Sequence, residues 1–197
     1  MTMLLGLPGS AEAPRRKWTR QEYHKLIDTG FIVEGDHYEL VEGEILETMV
    51  QKRPHLQTCM RVQHLLDDVY GRERVQSQGP VAVDDFNETE PDVAVLRRST
   101  DDYPDHPGPE DGVLLVEVSL TTLRIDTTVK SVVYARAGIP EYWILNLADR
   151  TLLVLRDPTP DGYTTQTTLT EADTVSPLSA PQASLVVEQM LPPVSLA

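Results

Sequence analysis

Residues 113–145, VLLVEVSLTTLRIDTTVKSVVYARAGIPEYWIL, decide the fold. VLLVEVS is an almost unbroken apolar run of strand length, the pattern of a buried strand. A helix follows from Asp126, a good N-cap residue, to Ala137, and Gly138 and Pro140 end it. EYWILNL then reads as a second strand. Glu117 interrupts the first strand with a carboxylate, which is costly in an apolar setting unless a cation faces it. A solvent-facing strand position is the plainer reading, but Leu115 lies two residues earlier on the same face and argues against it. Lys130 lies one turn into the helix, with Asp126 and Tyr134 as its i−4 and i+4 neighbours. Its plainer reading is an exposed lysine paired with Asp126, an arrangement of small energy.

Working outward, Thr19 and Glu22 form a capping-box pattern at the head of a helix over residues 18–30, with an apolar stripe of Tyr23, Leu26 and Ile27. Residues 37–50 read as a hairpin turning near Glu42-Gly43. Leu56, Met60, Val62, Leu65, Leu66 and Val69 follow helical spacing over 55–70, and Gly71 stops that helix. RVQSQGPVAV reads as a strand centred on Val81–Val83, and EPDVAVL as a short strand entered through Pro91. Residues 97–112 are rich in Pro and Asp and read as an exposed loop. TLLVLRD pairs with EYWILNL across Ala148-Asp149-Arg150, and the Thr-rich YTTQTTL adds another strand. The order of elements predicts a mixed α/β (α+β) domain, a central sheet with helices against it. Residues 1–17 read as a flexible N-terminal tail and 18–197 as a single domain, with 174–197 a proline-interrupted C-terminal extension.

At 197 residues the chain can bury a real core, and 40% apolar content makes it globular. The net charge of −14 argues against a general electrostatic grip on nucleic acid, leaving only a local basic groove. Arg61, Arg72, Arg74, Arg97, Arg98 and Arg124 are the obvious candidates for phosphate contacts. With Cys59 as its single cysteine the chain forms no internal disulfide, and a cytoplasmic setting is expected. No membrane span is expected, since no run approaches the ~18 apolar residues that reading needs.

Asp92 opens the EPDVAVL strand, where its plainer reading is a turn aspartate after Pro91. If Asp92 and Glu117 converge, each carboxylate raises the pKa of the other, and a divalent ion removes that conflict. Hard oxygen ligands suit Mg²⁺ or Mn²⁺. A neighbouring lysine can orient or deprotonate a metal-bound water, or meet charge developing on a phosphate. Together these groups suit phosphodiester hydrolysis.

The segments YELVEGEI, His55 at the start of a helix, EPDVAVL, VEVS, and DTTVK followed by YARAGIPEYWILNL resemble the Uma2 family of restriction endonucleases, within the PD-(D/E)XK nuclease superfamily. The resemblance spans roughly residues 18–157. It implies a restriction-endonuclease-like fold, a mixed central sheet flanked by helices, and metal-dependent endonuclease chemistry on DNA. Asp92 and Glu117 match the family's metal acids. The superfamily's usual lysine position, two after the acid, holds Ser119 here, and the resemblance moves that role to Lys130. Glu39 matches an upstream acidic position, with Glu42 and Glu44 as alternatives, and His55 matches the helix-start histidine. His55 would contact phosphate or pack the helix end. Such nucleases often act in pairs, so a homodimer is expected, with the EYWIL/TLLVLR hairpin as a candidate interface.

Other readings stay open. The chain could be a binding or structural protein that keeps the fold without the chemistry, or a metal hydrolase of small phosphoesters. Tyr142 and Trp143 could stack on bases, though large aromatics dominate cores and Trp143 reads better as core.

Overall fold

The eight residues of β7, Gly112–Ser119, are buried along their whole length at the middle of the principal sheet. In this computed structural model, which describes residues 15–33, 38–47 and 52–193, β7 lies between β6 (Val93–Leu96) and β8 (Glu141–Asn146). It pairs antiparallel with β6 and parallel with β8. A parallel neighbour requires a crossover, and the segment after Ser119 supplies it. That crossover is one continuous helical stretch: an α-turn, α3 (Leu123–Ile125), a π-helical turn (Asp126–Lys130) and α4 (Ser131–Arg136). β9 (Thr151–Thr159) and β10 (Gly162–Leu169) extend the sheet on one side and β3 (Val75–Ser77) on the other, giving six strands in the order β10-β9-β8-β7-β6-β3.

Alternation along these strands divides the core. One face carries Val93, Val95, Val116, Val118, Trp143 and Leu145, packed under α2 (Arg53–Tyr70) through Cys59, Val62 and Leu66. The other carries Ala94, Leu96, Leu115, Tyr142 and Ile144, packed against Val133 and Tyr134 of α4. Trp143 and Tyr142 are therefore core residues on opposite faces, both fully buried, and neither is available to stack on a base.

A second sheet, in the order β2-β1-β5-β4, covers the far side of α4. It comprises β1 (Tyr38–Val41), β2 (Glu44–Glu47), β4 (Val81–Asp84) and β5 (Asn87–Thr89). The β1–β2 turn falls at Glu42-Gly43, both at positive φ, as a two-residue hairpin of this hand requires. A Cβ on Gly43 would come within 2.7 Å of Lys17 Cβ, because Trp18 N–H donates to Gly43 O at 2.8 Å. α1 (Arg20–Asp28) lies on the outer face of this sheet with both halves of its capping box formed, and Tyr23 packs against Leu40.

Several expectations are corrected. The crossover helix begins at Leu123, so Asp126 is an interior residue at αR angles and not a cap. RVQSQGPVAV is two strands in different sheets, broken at Gly79-Pro80. β5 went unforeseen because Asn87-Glu88-Thr89 has no apolar signal; its polar side chains are satisfied internally instead, as where Glu42 N–H donates to Asn87 Oδ1 at 2.7 Å. Leu56, Met60 and Ile27 are exposed, so the buried stripes of α1 and α2 are narrower than the sequence pattern. The proposed interface hairpin buries Leu152, Val154 and Leu155 in this chain's own core. C-terminal to β10, β11 (Thr174–Val175) pairs with β12 (Leu185–Val186), and α5 (Val187–Met190) sends Val187 and Met190 into the α2 side of the core. Most of the expected N-terminal tail, and both ends of the expected 37–50 hairpin, lie outside the described residues. Within that tail Arg15 pairs with Glu44 at 3.2 Å and Lys17 with Glu42 at 3.5 Å. Among the described residues, no helix is long and apolar enough to cross a membrane.

Candidate active site

Lys130 is the last residue of the π-helical turn, and the wider turn carries it toward the sheets. Its Nζ lies 2.8 Å from Glu39 of β1 and 2.9 Å from Glu117 of β7. One ammonium thus joins the second sheet to the principal one. The three side chains are buried, with residue exposures of 6% for Lys130 and 5% for each glutamate. The plainer reading of an exposed lysine paired with Asp126 does not hold. One turn on, the Tyr134 hydroxyl donates to Glu117 Oε1 at 3.2 Å and is hydrogen-bonded to the Thr89 hydroxyl of β5 at 3.0 Å.

Asp92 sits one residue before β6. Val93 pairs with Val116, so the next step of the register sets Asp92 across from Glu117. Its Oδ2 accepts the Val118 N–H at 2.7 Å and lies 3.3 Å from His55 Nε2, at the head of α2. His55 Nδ1 in turn lies 3.4 Å from Cys59 Sγ, one helical turn on. Asp126, on the first residue of the π turn, accepts from Ser119 Oγ at 2.6 Å and Thr122 Oγ1 at 2.7 Å.

The electrostatics follow from burial. Four acids, Glu39, Asp92, Glu117 and Asp126, are nearly inaccessible around a single ammonium. Burial pushes the Glu117 carboxyl well above its ordinary value; Lys130 opposes this, while Asp126, Asp92 and Glu39 add to it. Burial alone would pull Lys130 down, but Glu117 and Glu39 outweigh it and hold the amine well above its usual range. The two carboxylates thus favour the charged form of Lys130, while burial favours the protonated form of Glu117 against the pull of Lys130.

A family model described as "Putative restriction endonuclease", Uma2, matches residues 20–188. The chain belongs to the Uma2 family. The fold agrees with a crystal structure of a nuclease of the DUF820 group, described as putative, from Anabaena variabilis ATCC 29413. That structure shares 16% identity, with a TM-score of 0.69 over 87% of this chain and 96% of the other. No curated protein matches the chain.

Of the five positions expected in this Uma2 chain, Glu39, Glu117 and Lys130 meet directly, and Asp92 meets His55. The three acids expected to share an ion, Asp92, Glu117 and Glu39, are not among the sets whose ligand atoms lie within 4.8 Å of one another; Asp92 forms such a set with His55 and Cys59 instead. Glu42 and Glu44 turn outward, Glu42 to Arg136 at 2.5 Å and Glu44 to Arg15. Ser119, the position two after Glu117 where the resemblance looked for a lysine, has its hydroxyl committed to Asp126. Tyr134, Thr89 and Asp126 were not foreseen as part of the cluster. Tyr134 was legible as the i+4 neighbour of Lys130, but nothing in the sequence marked Thr89.

Proposed function

We propose that this chain is a metal-dependent endonuclease that hydrolyses DNA phosphodiester bonds at the Glu39–Asp92–Glu117–Lys130 cluster. The observation that carries the reading is the surplus of buried carboxylate around one ammonium, which leaves Glu117 inclined to hold a proton. A hard divalent ion, Mg²⁺ or Mn²⁺, fits that all-oxygen surplus in place of the proton. Asp92 and Glu117 would hold it with waters, since Mg²⁺ commonly takes only one or two carboxylates, and Glu39 would complete the acidic set. When bound, such an ion polarises a phosphoryl oxygen and acidifies a water.

The chain's own groups divide the remaining work. Lys130, fixed as a cation, meets charge developing on phosphate rather than acting as a base. Tyr134 orients the Glu117 carboxylate through its hydroxyl. His55 steadies Asp92, as does the Val118 amide. Exposed Lys52 and Arg53 at the head of α2, beside His55, and exposed Arg124 beside Asp126 supply a local basic rim despite the overall acidity. Four of the arginines nominated from sequence are engaged elsewhere: Arg74 with Leu96 O, Arg97 with Glu110 O, Arg98 with Asp111, and Arg61 with Gln189 O. Cutting both strands with one site per chain calls for two copies, so a homodimer belongs to this reading. The buried, unpaired Cys59 suits a cytoplasmic setting.

Supercoiled plasmid with Mg²⁺ or Mn²⁺ tests the proposal. Wild type is expected to nick and linearise it, and Lys130→Ala to lose cleavage while still binding Mn²⁺ by calorimetry. Equal cutting by that variant refutes the role of Lys130. No Mn²⁺ binding by wild type favours a fold kept without its chemistry, and turnover confined to a small phosphodiester favours the small-ester reading.

A further inference from the structure

On the opposite face of the second sheet, away from Lys130, three residues of metal-binding type converge from separate elements. Glu88 of β5 is buried at 5% exposure, on the side of the sheet that faces α1. His24 of α1 places Nε2 2.8 Å from each Glu88 oxygen. His106, from the 97–111 loop, approaches edge-on to His24 with ring centroids 5.9 Å apart. One ligand atom from each of the three falls within 4.8 Å of the other two. The segment that presents His106 is itself held: His106 N–H donates to Asp105 Oδ1 at 2.8 Å, and Ala82 N–H of β4 donates to Pro107 O at 2.9 Å.

We propose that His24, Glu88 and His106 form a second metal site, taking an imidazole-preferring transition ion of the Zn²⁺ class. The donor set is two imidazoles and one carboxylate with one side open to water, unlike the oxygen-only surplus around Glu117. Two histidines and a carboxylate are a familiar zinc ligand set, and imidazole selects zinc, copper, nickel and iron over magnesium. Glu88 is a buried carboxylate that meets the His24 imidazole at 2.8 Å and the Arg20 guanidinium only at 3.6 Å. An ion there would fasten α1 and the 97–111 loop to β5. The next residue of β5, Thr89, is hydrogen-bonded to the Tyr134 hydroxyl, so the clamp steadies the strand that backs the Glu117 cluster. The site does not depend on that cluster being a nuclease.

The test uses the full chain and Co²⁺ as a spectroscopic probe for Zn²⁺. With excess Mg²⁺ present to occupy the oxygen-only cluster, wild type is expected to bind one Co²⁺ at this site with visible d–d absorption, displaced by Zn²⁺, and without a thiolate charge-transfer band. Cys59→Ser should leave that spectrum unchanged. His106→Gln changes an exposed side chain, so the fold should survive while affinity falls by at least the roughly 10- to 100-fold that losing even an outer-shell partner of a ligand costs. His24→Gln should do the same, and Arg20→Gln, by removing a competing cation from Glu88, should tighten binding. Zn²⁺ should raise the melting temperature of wild type but not of His106→Gln. The proposal is overturned by no Co²⁺ binding, by wild-type affinity in His106→Gln, or by a charge-transfer band that Cys59→Ser abolishes, which would assign the ion to His55, Cys59 and Asp92.

Discussion

Replacing Lys130 by methionine keeps most of the side-chain volume and removes one charge. The ammonium sits at 2.8 and 2.9 Å from two buried carboxylates. At an effective dielectric near 20, each such contact is worth roughly 6 kcal/mol before the cost of desolvating the amine is subtracted. Breaking a buried pair from one side typically costs about 3–5 kcal/mol, because the remaining charge is stranded. The stranded acid can escape by taking a proton. Glu117 already stands above its ordinary pKa through burial, and Lys130 is the neighbour that holds it down. In Lys130→Met its folded pKa climbs further above the unfolded value. A carboxyl raised on folding contributes its full stability below the unfolded pKa and loses it as pH rises through the folded pKa. The variant's deficit is therefore small near pH 5 and grows toward about 3–5 kcal/mol by pH 8. Urea unfolding followed by circular dichroism, wild type against variant across that range, measures it. A deficit below about 1 kcal/mol at pH 8, or one that does not change with pH, refutes the claim that this amine neutralises a buried anion pair.

Other perturbations probe separate parts of the account. Glu141 is fully buried and accepts from Arg156, Trp143 Nε1 and Leu178 N–H, so Glu141→Gln should cost about 3–5 kcal/mol in chemical denaturation without altering metal binding at the distant cluster. Asp126→Ala strands the Ser119 and Thr122 hydroxyls, and a loss of about 1–3 kcal/mol is expected; a thermal melt matching wild type would count against the contact. Gly43→Ala meets both a positive φ and the Lys17 side chain at 2.7 Å, so its melting temperature should fall clearly, whereas Gly162→Ala, also at positive φ but with nothing within 4 Å, should fall less.

The sequence made much of this molecule legible, for a physical reason. Buried strands and crossover helices write strong apolar patterns, and VLLVEVS, the α4 stretch and EYWILN carry them without interruption. Glu117 stood out because a carboxylate within such a run demands a partner, and Lys130 is that partner. What could not be read was polar structure. Thr89 and Glu88 lie on a strand of three polar residues, satisfied by side chains far away in sequence. The π turn also escaped, because a helix with one extra residue per turn has no local sequence mark, yet it sets where Lys130 points. The family resemblance placed Glu39 and His55, which no periodicity would have selected. Register alone did not foresee that Asp92 would turn to His55 as well as face Glu117.

The most direct check on the central reading is a crystal of the full chain soaked in Mn²⁺ and measured for anomalous scattering. An ion at the buried acids should give a peak within coordinating distance of both Asp92 and Glu117, with the Lys130 ammonium beside it. Full-occupancy density elsewhere, with those two carboxylates still turned only to His55 and Lys130, would contradict it.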